Sequence, residues 1–103
     1  GTFNQDLLDT INQRRQQIAA REGVAEAAVP PDAVTASGSG LDPDISPAYA
    51  ALQVPRVARV TGLPLDRVQA LVAQATDGRV LGFLGEPTVN VTELNVAVAD
   101  ERP

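Results

Sequence analysis

Cysteine is missing from this chain of 103 residues, and so are histidine and lysine. Without cysteine there is no disulfide frame and no thiol chemistry, and the redox compartment is not legible. The lack of histidine removes the commonest zinc ligand, the commonest acid–base catalyst and the base of the usual serine triad together. All eight basic residues are arginine, which excludes a P-loop lysine and a Schiff-base lysine. Aromatic residues are few: Phe3, Tyr49 and Phe83 offer no platform for stacking bases. A net charge of −5 with pI near 4.4 gives phosphates no positive face, so no nucleic-acid partner is expected. Long apolar runs are absent as well. None approaches the roughly 18 residues that would cross a bilayer, and Gly1 opens a polar segment rather than a signal peptide. Taken alone, the chain reads as a soluble piece.

What is present is ordinary globular material: 44% hydrophobic residues and a mean hydropathy of −0.04, enough for one domain with a modest core. Residues 3 to 22 carry a helical pattern, with Leu7, Leu8, Ile11 and Ile18 on one face. Asn4 can cap that helix, Phe3 and Leu8 can form a hydrophobic staple, and Gly23 can stop it. Asp6 and Asp9 near its start and Arg14, Arg15 and Arg21 toward its end suit the helix dipole. Residues 24 to 33 read as a connector around Pro30-Pro31, followed by a short strand at residues 33 to 36.

The sequence VTASGSGLDPDISP, residues 34 to 47, is the organising stretch. Ser37, Gly38, Ser39 and Gly40 give a tight polar loop, Asp42 and Asp44 flank Pro43, and Ser46-Pro47 supplies an N-cap and a proline for a helix start. From Pro47 the helix is expected to reach about Gln53, and Pro55 either kinks it or starts another. Val57 and Val60 are assigned to the core and Gly62 to the stop. A further helix over residues 63 to 78 places Leu65, Val68, Leu71, Val72 and Ala75 on one stripe, opened by Pro64 and closed by Asp77-Gly78. Gly82, Gly85 and Pro87 break LGFLGEP into an extended or looped segment. Residues 88 to 91 alternate as a strand, and ELNVAV fits either a strand or, preferred here, a short terminal helix before a charged, frayed tail. The expected class is α+β, a single domain of three to four helices packed on a small short-stranded sheet.

Three segments, VTASGSGLDPDISP, LQVPRVARVTGLPLDRVQALV and LGFLGEPTVNVTELNVAVAD, together resemble the C subunit of the bacterial Kdp potassium-transporting ATPase. Weaker similarity extends into NQDLLDTINQR. The resemblance spans nearly all of residues 1 to 103, but only about the C-terminal half of a family member. It implies an extracytoplasmic soluble domain whose N-terminal membrane anchor is absent from this chain. The family is implied to sit in the bacterial cell membrane through that single-pass helix, with this domain on the outer side. Its implied partners are a potassium channel-like subunit and a P-type ATPase subunit. The implied role is an accessory, non-catalytic one: stabilising the complex and acting as a catalytic chaperone that raises the pump subunit's affinity for ATP. Family members typically carry histidine where this chain has Asp44, so no function that needs the imidazole is implied here.

The candidate functional residues are Ser37, Gly38, Ser39, Gly40, Asp42, Asp44, Gln53, Arg56, Gly82, Gly85 and Glu86. Backbone N–H groups of the SGSG loop could cradle phosphate. Against that, a phosphate 4 Å from a carboxylate such as Asp42 or Asp44 meets a repulsion of about 1 kcal/mol even at bulk dielectric. No tightly bound cofactor and no metal are expected, with ATP reaching the complex rather than this domain. Asp42 and Asp44 could concentrate potassium ions near the channel-like subunit, or simply cap turns and the following helix. Gln53 could touch a nucleotide or a partner, or satisfy a carbonyl freed by Pro55. Arg56 and Glu86 could pair. A hydrolase built on Asp42 and Asp44 lacks a nucleophile with its base.

Overall fold

The computed structural model describes residues 3–35, 44–77 and 87–103, and the chain divides into two compact units, 1–38 and 39–103. In the first, helix α1 (Phe3–Glu22) is twenty residues long, about 30 Å at 1.5 Å per residue. It ends as the sequence predicts, on Gly23 at φ 71°. Val24 N–H donates to Ala19 C=O at 3.0 Å, the reach across six residues that closes a helix around a left-handed glycine. Asn4, expected as the cap, lies inside the helix instead. Leu7 and Leu8 are exposed, because burial on α1 is confined among the described residues to Ile18 and Ala19.

A single 3-10 turn (Glu26–Ala28) leads into a short helix, α2 (Pro31–Thr35), which replaces the strand expected at residues 33 to 36. Proline at the first helical position fixes φ where no N–H partner is needed. Thr35 Oγ1 donates back to Pro31 C=O at 2.9 Å. Ala33 and Val34 are buried on α2, and Arg14 Nη1 donates to Val34 C=O at 3.0 Å. Packing on α1 and that satisfied carbonyl outweigh the β preference of Val34, a weak prior in any context.

The second unit carries the sheet: β1 (Asp44–Ile45), β2 (Thr76–Asp77) and β3 (Thr88–Asn90), ordered β1-β3-β2 and antiparallel throughout. Val89 occupies the middle of the central strand, opposite Ile45 on one side and Thr76 on the other, and is fully buried. Three helices pack on this sheet: α3 (Pro47–Thr61), α4 (Leu65–Gln74) and α5 (Val91–Glu101). The α+β class expected from the pattern is the class observed.

Helix α3 starts as predicted. Ser46 Oγ accepts from Tyr49 N–H at 3.0 Å, and Pro47 sits in the first turn. It then runs unbroken through Pro55 to Thr61 and closes on Gly62 at φ 80°. The proline is tolerated because Ala51, whose carbonyl loses its partner, and Pro55 lie one turn apart on the exposed face, where water can take that bond. Ala50 and Val54 form the buried stripe, Val57 is half-buried, and Val60, assigned to the core from sequence, is exposed.

Helix α4 buries Val68 and Leu71, with Ala75 just beyond its end, while Leu65 stays exposed in its first turn. It stops earlier than Asp77-Gly78 because Thr76 and Asp77 are taken by pairing to β3, and Asn90 N–H donates to Ala75 C=O at 3.0 Å. Asn90 then caps α5, its Oδ1 accepting from Glu93 N–H at 2.8 Å. The ambiguous ELNVAV segment is helical, and the tail expected to fray stays helical as far as Glu101.

Candidate functional site

Between α3 and α5 the second unit opens into a cavity of about 360 Å³, within the usual size range of a ligand pocket. Its walls follow from helical periodicity. Ala50, Val54 and Val57 recur at three- and four-residue steps on α3, and Val91, Leu94 and Val98 do the same on α5. Val68 and Val72 of α4 and Ile45 of β1 complete the lining. Ala50, Ala75 and Val89 form a buried cluster, with Ile45, Val72 and Leu94 packed on it. Polar groups at the cavity are Tyr49, Gln53, Thr61, Asn95 and Arg102.

The C-terminal ends of α3 and α5 come together. Pro103 Cγ stands 3.9 Å from where a Cβ on Gly62 would be. An exposed ion pair fixes α5 to the start of α4: Arg67 Nε donates to Glu101 Oε2 at 2.6 Å, and Arg67 Nη2 donates to Glu101 Oε1. The hydrogen bond from Arg67 holds the Glu101 carboxyl below its ordinary pKa, and the same bond raises Arg67 further above its own. Sequence reading missed this pair, since 34 residues separate the partners and nothing local marks it.

Of the residues singled out from sequence, Asp44, Gln53 and Arg56 fall among the described residues. Ser37, Gly38, Ser39, Gly40, Asp42, Gly82, Gly85 and Glu86 lie outside them, as does the suggested Arg56–Glu86 pair. Gln53 and Arg56 are brought together on α3: Arg56 Nη2 donates to Gln53 Oε1 at 3.0 Å. Gln53 Nε2 in turn donates to Tyr49 C=O at 3.2 Å, so it serves the preceding turn and not the carbonyl freed by Pro55. Asp44 is half-buried in β1 opposite Asn90, and the side chain that caps α3 is Ser46.

Among the described residues no group of three or more acidic side chains gathers into a metal site. None of their helices is long and apolar enough to cross a membrane. The fold and cavity thus define a small α+β protein whose second unit holds an apolar cavity.

Residues 1–100 match the family model described as "KdpC: K+-transporting ATPase, c chain". Three relatives carry the name Potassium-transporting ATPase KdpC subunit. The protein of Kineococcus radiotolerans is 56% identical over 103 residues, covering 100% of this chain and 53% of its own. That of Variovorax paradoxus is 53% identical over 98 residues, 95% of this chain and 51% of the relative. That of Streptomyces coelicolor reaches 67% over 72 residues, 70% of this chain and 32% of the relative. The chain therefore belongs to the KdpC family, as the resemblance in its sequence implies. It spans about half the length of the curated relatives it matches.

Proposed function

We propose that this chain is the extracytoplasmic part of an accessory subunit in an ATP-driven potassium-uptake complex. It works by touching a channel-like subunit and a P-type ATPase subunit, and a helix N-terminal to it anchors the subunit in the membrane. The observation that carries this reading is the family match over residues 1–100, joined to relatives that share the name of one transport ATPase subunit. In this reading the subunit raises the pump's affinity for ATP by coupling through the assembly, which needs only a contact that differs between two states of the pump.

Two features of the chain favour coupling over direct nucleotide contact. The net charge of −5 repels a triphosphate. The amide of Gln53 is already engaged at both ends, with Tyr49 C=O and Arg56. Reconstitution tests the proposal. Omitting the subunit is expected to raise the KM for ATP of the potassium-stimulated hydrolysis, and adding it back to restore it, while the 103-residue chain alone shows no calorimetric response to millimolar ATP. An unchanged KM overturns the regulatory role, and saturable ATP binding by the isolated chain overturns the coupling route.

A further inference from the structure

We propose that α5 is a strap along one side of the cavity, hinged at Asn90 and latched at its far end by Arg67 and Glu101. It opens from the latched end while α3, α4 and the sheet stay folded. Packing argues first. Helix α3 buries Ala50 and Val54 and α4 buries Val68 and Leu71, whereas no residue of α5 is buried. Leu94 packs on the buried cluster of Ala50, Ala75 and Val89, but Val91 and Val98 line the cavity and Val96 is exposed. A side chain that faces an unfilled space lacks partner atoms on that side and forfeits their dispersion attraction. Segments with few buried apolar contacts are the ones that open at least cost.

The two ends of α5 argue second. Its start is tied three times. Asn90 pairs with Asp44 across the sheet, its N–H donates to Ala75 C=O at 3.0 Å, and its Oδ1 accepts from Glu93 N–H at 2.8 Å. Its other end is weak. No left-handed residue closes the helix at Arg102, whose N–H reaches Ala99 C=O only at 3.4 Å. The last turn ends on Asp100 and Glu101 with no base within it, so like charge meets the negative end of the helix dipole. Arg102, just beyond, offsets part of that repulsion. Arg67, in the first turn of α4, donates to both carboxylate oxygens of Glu101 and holds this end down. Releasing one exposed pair therefore frees the loose end of a helix whose start stays fastened. Every part of the device lies within residues 44–102, and it stands apart from any role in ion transport.

Amide exchange of the 103-residue chain, followed by NMR at low ionic strength and in graded denaturant below the unfolding transition, tests the strap. The amides of residues 97–101 are expected to share one opening that denaturant hardly promotes, and to exchange faster than Val72 and Ala73 of α4. Arg67→Gln, an exposed change, should speed these α5 amides by about twofold to fivefold, the range of one exposed ion pair. Glu101→Gln also removes the pair but relieves the repulsion at the helix end, so it should speed them less. Rates that climb residue by residue toward Glu101 mark simple end fraying and overturn the strap. So does a denaturant dependence equal to that of Val72, which means that α5 opens only with the whole unit. Unchanged α5 rates in Arg67→Gln, or slower ones in Glu101→Gln, overturn the latch.

Discussion

The N-terminal and C-terminal units solve the same burial problem by different means. In the first, Ile18, Ala19, Val29, Ala33 and Val34 are buried, all within 17 positions of one another in sequence. In the second, Ala50, Val54, Val68, Leu71, Ala75 and Val89 converge from α3, from α4 and the residue just beyond it, and from β3, and a three-stranded sheet ties positions 44 and 90 together. A core of local contacts is cheap in chain entropy but small. The non-local core costs more loop closure and buries more in return. The contrast extends to helix starts, where α3 and α5 each carry a side-chain cap, from Ser46 and Asn90. Both units close a helix on a left-handed glycine, Gly23 after α1 and Gly62 after α3, and the first unit adds Arg14 on α2's last turn.

The sharpest way to break this comparison is to empty each core. Leu71→Ala should cost about 3–5 kcal/mol, the upper part of the range for a leucine that packing cannot close around. Ile18→Ala should cost about 2 kcal/mol, since a small, marginal core relaxes more easily. Denaturant midpoints, with amide exchange resolved over residues 3–35 and 44–77, would measure both, and equal losses would erase the distinction.

A smaller effect is expected at the two left-handed glycines. A Cβ on Gly23 would meet nothing within 4 Å, and on Gly62 only Pro103 Cγ at 3.9 Å. Both Gly→Ala changes should therefore cost the same, about 1–2 kcal/mol of backbone strain. A clearly larger loss at Gly62 would show that the added methyl also presses on Pro103.

The smallest effect concerns acid. Glu101 has its folded pKa lowered by Arg67, so its contribution is complete above the ordinary carboxylate range and is lost as pH falls through the folded value. The pair is exposed, and its weight in stability is correspondingly slight. A carbon-detected titration of Glu101 should show a midpoint below the ordinary glutamate value, and Arg67→Gln should move it back up. An ordinary midpoint in the original chain would dissolve the α4–α5 link as a titratable contact.

Much of the architecture was legible because local signals agreed with the fold. Gly23 and Gly62 stop helices where expected, Ser46-Pro47 starts one, and residues 88–90 form a strand. Where reading failed, a distant partner overrode a local preference. Val34 is helical because α1 lies against it, and α4 ends early because β3 claims Thr76 and Asp77. Val60 and Leu65 fit apolar stripes, yet no described neighbour covers them fully. The candidate site was legible only in part: Gln53 and Arg56 stood out in the sequence, whereas the cavity that Gln53 borders did not.

By itself the sequence determined the α+β class and the family, since apolar periodicities set the elements and three motifs carry the kinship. It also marked the end of α1, both ends of α3 and the start of α4, because caps, prolines and left-handed glycines act within a few residues of themselves. Tertiary structure alone decided that α3 and α5 flank a cavity and that Arg67 meets Glu101. It also decided that Arg102 lines that cavity. Those relations join residues tens of positions apart, and no local propensity encodes a distance across the fold.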